Sequence, residues 1–263
     1  MLTEERFNII LKTVESKKAV TVQELTELLG SSESTVRRDL TALHEMGLIN
    51  KVHGGATAVD NSYTTSEDDV AYKHGQYSEE KKRIGKYAAS LIKKSDFVFI
   101  DAGTTTEALI DYISEKEATY VTDGLGHANK LLKKGYKVFI PGGHLRVSTE
   151  AMVGEETVEA LRKYNFTLGF FGTNGISPTA GYTTPDVHEA LVKKEAFENC
   201  RDAYVLSDPS KFNKISSVTF GSIGNATIIT TDLQDHKYLK FTEIMEVDKN
   251  DLHSCLLYTS RCV

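Results

Sequence analysis

Thr21-Val-Gln-Glu24-Leu-Thr-Glu-Leu-Leu-Gly30-Ser-Ser32-Glu-Ser34-Thr35-Val36-Arg37-Arg38-Asp39-Leu40 reads as two short helices joined by a tight turn. Thr21 and Glu24 have capping-box spacing, in which each side chain answers the other residue's free backbone N–H. Val22, Leu25, Leu28 and Leu29 then form one apolar face, and Gly30 is the turn residue that stops the helix. Ser32 caps a second helix with Val36, Leu40 and Leu43 on its inner side, because ~100° per residue gathers these three into a stripe. Ser34, Arg37, Arg38 and Thr41 fall on the opposite face. Hydroxyl and guanidinium groups so placed contact phosphates and read base edges in the major groove.

The flanks extend this reading. Upstream, Phe7, Ile10, Leu11 and Val14 mark a helix with Thr3 as its expected N-cap. Downstream, Gly47 ends the recognition helix. Residues 48–58 then alternate around Gly54-Gly55 as a two-stranded wing, which offers Lys51, His53 and the two glycines to DNA. The whole is a winged helix-turn-helix over 1–58, its helix-turn-helix at about 20–39. A plain three-helix domain with a solvated arginine pair is the alternative. Residues 1–58 carry seven Lys and Arg against eight Asp and Glu, so the unit is not basic overall. Capping box, glycine turn, patterned helix and Gly-Gly wing in this order favour DNA binding.

The full chain has 263 residues, 40% hydrophobic, with a formal net charge of -6. That suits a small and a medium domain with ordinary cores and gives no global attraction to nucleic acid. No apolar run approaches the ~20 residues that span a bilayer. The start, Met1-Leu-Thr-Glu-Glu-Arg6, is too polar for a signal peptide, so a cytoplasmic protein is expected. Cys200, Cys255 and Cys262 have neither metal-ligand spacing nor a disulfide pattern. Neither metal nor cofactor is expected. Residues 251–263 share no period with what precedes them, and Cys255-Leu-Leu-Tyr-Thr-Ser260 resembles a translated adapter sequence. They are read as a non-native tail.

Residues 59–78 are polar and mixed in charge, as in a linker. From 79 to 250 the pattern is α/β. Ile84, Tyr87, Ala88 and Leu91 mark a helix. Apolar runs at 97–100, 119–122, 137–140, 168–171, 203–206 and 226–229 each end in a glycine- or Asp/Ser-rich loop. Strands alternating with helices imply an open, mainly parallel sheet, whose ligands bind at the strands' carboxyl ends. Gly103-Thr104-Thr105-Thr106 offers backbone N–H groups, hydroxyls and a helix N-terminus, the parts of a phosphate cradle. Gly142-Gly143 permits close backbone approach, and Arg146 and Lys211 supply charge. Asp101, Asp123 and Asn174 suit sugar hydroxyls. Each signal also has a plain turn or surface reading. Together they favour a phosphorylated small ligand.

Thr35-Val-Arg-Arg-Asp-Leu40 and Val52-His-Gly-Gly-Ala56 resemble the DNA-binding signature of DeoR-type repressors of sugar catabolism. Asp101-Ala-Gly-Thr-Thr105, Pro141-Gly-Gly143, Gly172-Thr-Asn-Gly175 and Ser210-Lys-Phe212 resemble that family's effector domain. The resemblance implies a large domain similar to ribose-5-phosphate isomerase that senses a sugar phosphate. A homo-oligomer, dimer or tetramer, is expected, since two recognition helices would sit on a repeated or palindromic operator. Residues 164–175 and 181–186 are most like the fructose-operon branch, which implies fructose 1-phosphate as effector. The rival class is a sugar-phosphate isomerase or deaminase, which needs carboxylates placed for proton abstraction. Gly172-Thr-Asn174-Gly175 carries an amide and glycines where the isomerase has acids, and Glu189 is read as helix-surface charge, with a general base as the alternative. A sensor, not an enzyme, is expected.

Overall fold

The computed structural model describes residues 2–46, 48–58, 63–64, 73, 75–247 and 255–258. It divides into two compact units, Met1–Asn61 and Ser62–Val263.

The first unit runs α1 (Thr3–Lys17), β1 (Ala19–Thr21), α2 (Val22–Leu29), α3 (Glu33–Glu45), β2 (Ile49–Val52) and β3 (Gly55–Ala58). The Thr21–Glu24 capping box forms in full, and Gly30 leaves α2 with φ +58°. Ser32 caps α3 through the Thr35 N–H. Thr3 is already the first helical residue of α1 and Leu2 occupies the cap. The Glu5 carboxylate caps the Leu2 N–H there at 2.9 Å, with no side chain returning a bond from Leu2. Ile10, Val14, Val22, Leu25, Leu29, Val36, Leu40 and Leu43 are buried together with Val20, Ile49 and Ala56. Leu28 is half-exposed and lies outside this core. Gly47 lies outside the described residues. The wing has three strands, in the order β1-β3-β2. Gly55 is buried against β1, where any side chain would collide with the Val20 carbonyl.

In the second unit a short strand β4 (Tyr63–Thr64) precedes α4 (Ser78–Ser90), β5 (Phe97–Ile100), α5 (Thr104–Tyr112), β6 (Thr119–Thr122), α6 (Leu125–Lys133) and β7 (Lys137–Phe139). A hairpin of β8 (His144–Leu145) and β9 (Met152–Val153) leads to α7 (Glu155–Leu161) and β10 (Phe166–Phe171). Then follow β11 (Gly175–Ser177), β12 (Gly181–Thr184), α8 (Val187–Glu198), β13 (Cys200–Leu206), β14 (Ile215–Ser216), β15 (Val218–Gly221), β16 (Thr227–Thr230), β17 (Ile244–Val247) and β18 (Cys255–Tyr258).

The main sheet has the order β18-β17-β16-β13-β10-β5-β6-β7. Its strands are parallel except for β18, which runs antiparallel along β17. That pairing uses backbone groups that any sequence supplies. Side chains alternate between two cores. Val98, Ile100, Tyr120 and Phe170 pack with Ile84, Leu109 and Ile110 of α4 and α5. Phe99, Val121, Phe171 and Val205 pack on the other face with Leu161, Val192 and Phe197 of α7 and α8. Burial on both faces gives the continuous apolar runs of the sequence.

The chain proceeds outward through β5, β6 and β7, then returns to lay β10 on the other side of β5. The carboxyl ends of β5 and β10 therefore flank the point where strand order reverses, the place where such sheets open a crevice. Among the described residues, no helix is long and apolar enough to cross a membrane.

Candidate functional site

On α3, Ser34, Arg37 and Arg38 are exposed and Thr41 is half-exposed, opposite the buried Val36, Leu40 and Leu43. Thr35 is turned toward the cap, its hydroxyl 2.9 Å from that of Ser32. Arg37 forms an ion pair with Glu33 one turn back. Lys51 of β2 donates to the Thr41 hydroxyl at 2.7 Å, which ties the wing to the helix. Arg38 pairs with no acid among the described residues and is the open cation of this face. His53 and Gly54 form the exposed wing tip, where Gly54 has φ +83°. Gly55, expected at the DNA surface, is instead committed to packing under β1.

Asp39 lies between Arg38 and Leu40 yet is buried. Its carboxylate accepts from Arg6 of α1 at 2.7 and 3.1 Å, which fixes α1 against α3.

In the second unit, the loops at the strand-order reversal are held by buried acids. Asp101 accepts from the Gly172 N–H at 2.8 Å and pairs with Lys193 of α8. Asp123 accepts from the Ala102 N–H at 2.7 Å. Both were expected to meet sugar hydroxyls. They are at most 3% exposed and instead lash together the loops after β5, β6 and β10. Burial, with Asp101 as neighbour, pushes the Asp123 carboxyl up to about 8. Burial opposes the charge on Lys193, but Asp101, Glu189 and Asp123 outweigh it and raise its pKa.

Glu189 is likewise not surface charge. It is buried, accepts from the Thr149 hydroxyl at 2.6 Å and lies 3.7 Å from Arg146 Nε. Arg146 also pairs with Asp186 and donates to Ser148 at 2.8 Å. Its charge is therefore already countered inside the protein. Of the threonines after Gly103, Thr105 and Thr106 are buried. The Thr106 hydroxyl donates to the Asp101 carbonyl at 2.6 Å and lies 3.2 Å from His127 Nε2. Burial depresses His127 to about 4, so the ring is neutral near pH 7.

What remains open is a cavity of about 190 Å³ lined by Gly103, Thr104, Glu107, Gly124, Gly126, His127, Thr149 and Glu150. The N-termini of α5 and α6 meet there. The Leu125 N–H is taken by the Glu150 carbonyl, and the dipoles of the two helices favour an anion. Thr149 and Glu150 add groups suited to hydroxyls. The other expected residues lie off this cavity. Asn174 accepts from the Thr184 hydroxyl at 3.2 Å. Gly142 and Gly143 have φ +78° and +114°, and a side chain at Gly143 would strike the Thr157 hydroxyl. That pair of glycines seats the loop on α7. Lys211 is half-buried in the turn Pro209–Lys211. Among the described residues no group of His, Cys, Asp and Glu is arranged to hold a metal.

Sequence reading missed Lys193 and His127 and misread Glu189. Lys193 shares the buried face of α8 with Ala190 and Phe197, and His127 shares that of α6 with Leu131. A charged or polar residue on an apolar stripe was the available signal.

Comparison with known proteins agrees with this two-unit reading. Residues 6–62 match the DeoR-like helix-turn-helix domain, and residues 76–233 match the DeoR C terminal sensor domain. The chain belongs to the DeoR family. It is 41% identical to the uncharacterized HTH-type transcriptional regulator FruR of Bacillus subtilis, covering 92% of this chain and 96% of that protein. It is 34% identical to a lactose phosphotransferase system repressor of Staphylococcus epidermidis, over 92% and 98%. As a DeoR-family transcriptional repressor it is not an enzyme. Among solved structures, ribose 5-phosphate isomerase A of Methanocaldococcus jannaschii superposes on 51% of this chain and 54% of that one, with 14% identity and a TM-score of 0.37. The delta subunit of eIF2B from Chaetomium thermophilum does so over 54% and 52%, with 16% identity and a TM-score of 0.39.

Proposed function

We propose that this DeoR-family regulator represses a sugar catabolic operon, for fructose uptake and phosphorylation, and is released by fructose 1-phosphate. The observation that carries the effector reading is the cavity where α5 and α6 begin together, lined among others by Thr104, Thr149 and Glu150. Backbone N–H groups there suit a phosphate, and the hydroxyl and carboxylate suit a sugar. The relatedness to a regulator named FruR supports fructose as the sugar. Ser34, Arg38, Thr41, Lys51 and His53 form the DNA face, with Arg37 joining once it leaves Glu33.

The working protein is a cytoplasmic homo-oligomer, dimer or tetramer, since one recognition helix reads only a half-site. Effector binding shifts the population toward a form that holds its DNA heads badly spaced. A 100-fold loss of operator affinity requires coupling of roughly 2.7 kcal/mol.

Thermal-shift titration with fructose 1-phosphate, fructose 6-phosphate, tagatose phosphates and glucosamine 6-phosphate tests the effector. Fructose 1-phosphate is expected to stabilise most, and Thr104→Ala to weaken that response. Equal stabilisation by all four sugars would remove fructose from the proposal. An unchanged response in Thr104→Ala would move the ligand elsewhere.

A further inference from the structure

The chain leaving the DNA-binding unit is fastened to the effector unit at two described points. The first is backbone pairing. Tyr63 and Thr64 of β4 lie parallel to Ile215 and Ser216 of β14, only five residues after the wing strand β3 ends at Ala58. Tyr63 itself is exposed, so side-chain burial does not hold it there. The second is Lys81 of α4, which is 7% exposed and donates its Nζ proton to the Lys73 carbonyl.

The first fastening ends on the loops at the carboxyl edge of the sheet, and the second lies within electrostatic reach of them. The Ser216 N–H donates to the Thr183 hydroxyl at 2.8 Å, and that hydroxyl donates to the Gly175 carbonyl at 3.2 Å. The Asn174 N–H in turn donates to the Thr183 carbonyl at 3.0 Å. β14 is thus two hydrogen bonds from the loop that Asp101 grips through Gly172. Phe212, next to Lys211, bridges to Ile176 of β11. Lys81 feels Asp208, Lys211 and Lys73 together, three cations against one carboxylate in a largely buried place.

We infer that β4 and the Lys73–Lys81 contact form a tether through which the effector loops control the segment leading to the DNA head. The inference rests on the sugar-phosphate reading above and adds its route. A ligand in the cavity orders the loop after β5, and through the Asp101 grip on Gly172 this stiffens β14, tightens the pairing of β4 and restrains the chain leaving the wing. Occupancy of the effector unit then changes the freedom of the head, and no direct contact between the two units is needed.

Replacing Tyr63 and Thr64 together by proline tests this. Successive strand N–H groups point to opposite sides, so the double change removes whichever one donates to β14. The variant is compared with the parent for its thermal shift with fructose 1-phosphate and for operator affinity with and without that sugar. The expected result is a retained thermal shift with the drop in operator affinity reduced from about 100-fold to about threefold or less. A variant that binds the sugar and releases DNA as the parent does overturns the tether alone. A parent that responds to no sugar phosphate overturns the effector reading and the tether with it. Hydrogen exchange on the parent is a second test that does not depend on the variant folding. Addition of the sugar should slow the amides of residues 63, 64 and 216 about tenfold or more. Unchanged exchange there contradicts the tether.

Discussion

Asp123 and His127 titrate in opposite senses, and their windows can be separated. The Asp123 carboxyl is raised from its ordinary value near 3.8 to about 8, so the folded protein holds a proton that the unfolded chain has lost. Its contribution is fully present below pH 3.8 and is lost as pH rises toward 8. His127 is depressed from 6.5 to about 4, so its contribution is present above 6.5 and is lost as pH falls toward 4. The two slopes oppose each other between pH 4 and 6.5, and Asp123 alone acts between 6.5 and 8. Stability should therefore decline across pH 6.5–8, and Asp123→Asn, whose amide oxygen still accepts from Ala102, should flatten that decline. Melting temperatures at half-unit pH steps check this, and parallel curves for parent and variant would reject it. These roles were hard to read from the chain. Asp101 and Asp123 follow strands, where ligand carboxylates also occur. Only the neighbouring loops, brought from 21 and 71 residues away, reveal that they bind backbone N–H groups.

At the scale of elements, α3 carries the DNA reading and its two arginines are unequal. Arg38 is open, whereas Arg37 is held by Glu33. Arg38→Ala should weaken operator binding about tenfold or more, the ~1–3 kcal/mol of a guanidinium–base contact. Lys51→Ala should lower affinity on all sequences alike and reduce the salt slope by about one. Fluorescence anisotropy across a salt series separates the two. Asp39→Ala should lower the melting temperature of the DNA-binding unit by releasing α1 from α3, with no specific loss of base reading. In the effector unit, Gly143→Ala meets both a strained φ and the Thr157 hydroxyl. It should cost roughly 2 kcal/mol of stability, measured by denaturant unfolding. Helices with caps and six of the sheet strands were legible, because caps and buried apolar runs are local signals. β1, β17 and the small sheet of β11, β12 and β15 were not. Three- and four-residue strands such as Ala19–Thr21 are set by partners distant in the chain, here β3, more than by their own pattern.

At the scale of the whole molecule, a DNA-binding unit with a near-neutral charge balance is followed in the chain by an α/β sensor unit. In the proposed reading, affinity rests on Arg38, Lys51 and the pairing of two heads. That balance suits release by modest coupling, because nonspecific attraction is weak when net charge is -6. The domain order was legible because the patterning changes from capped amphipathic helices to alternating strands and loops near residue 60. The cavity was only partly legible. Thr104 and Gly103 line it as expected, while Arg146, Asn174 and Lys211 belong to neighbouring networks. The most direct test is the affinity of the full chain for a DNA fragment it selects from a random pool, measured with and without saturating fructose 1-phosphate. The account predicts about a 100-fold loss of affinity when the sugar is added. Unchanged affinity, with thermal shift showing the sugar bound, would contradict it.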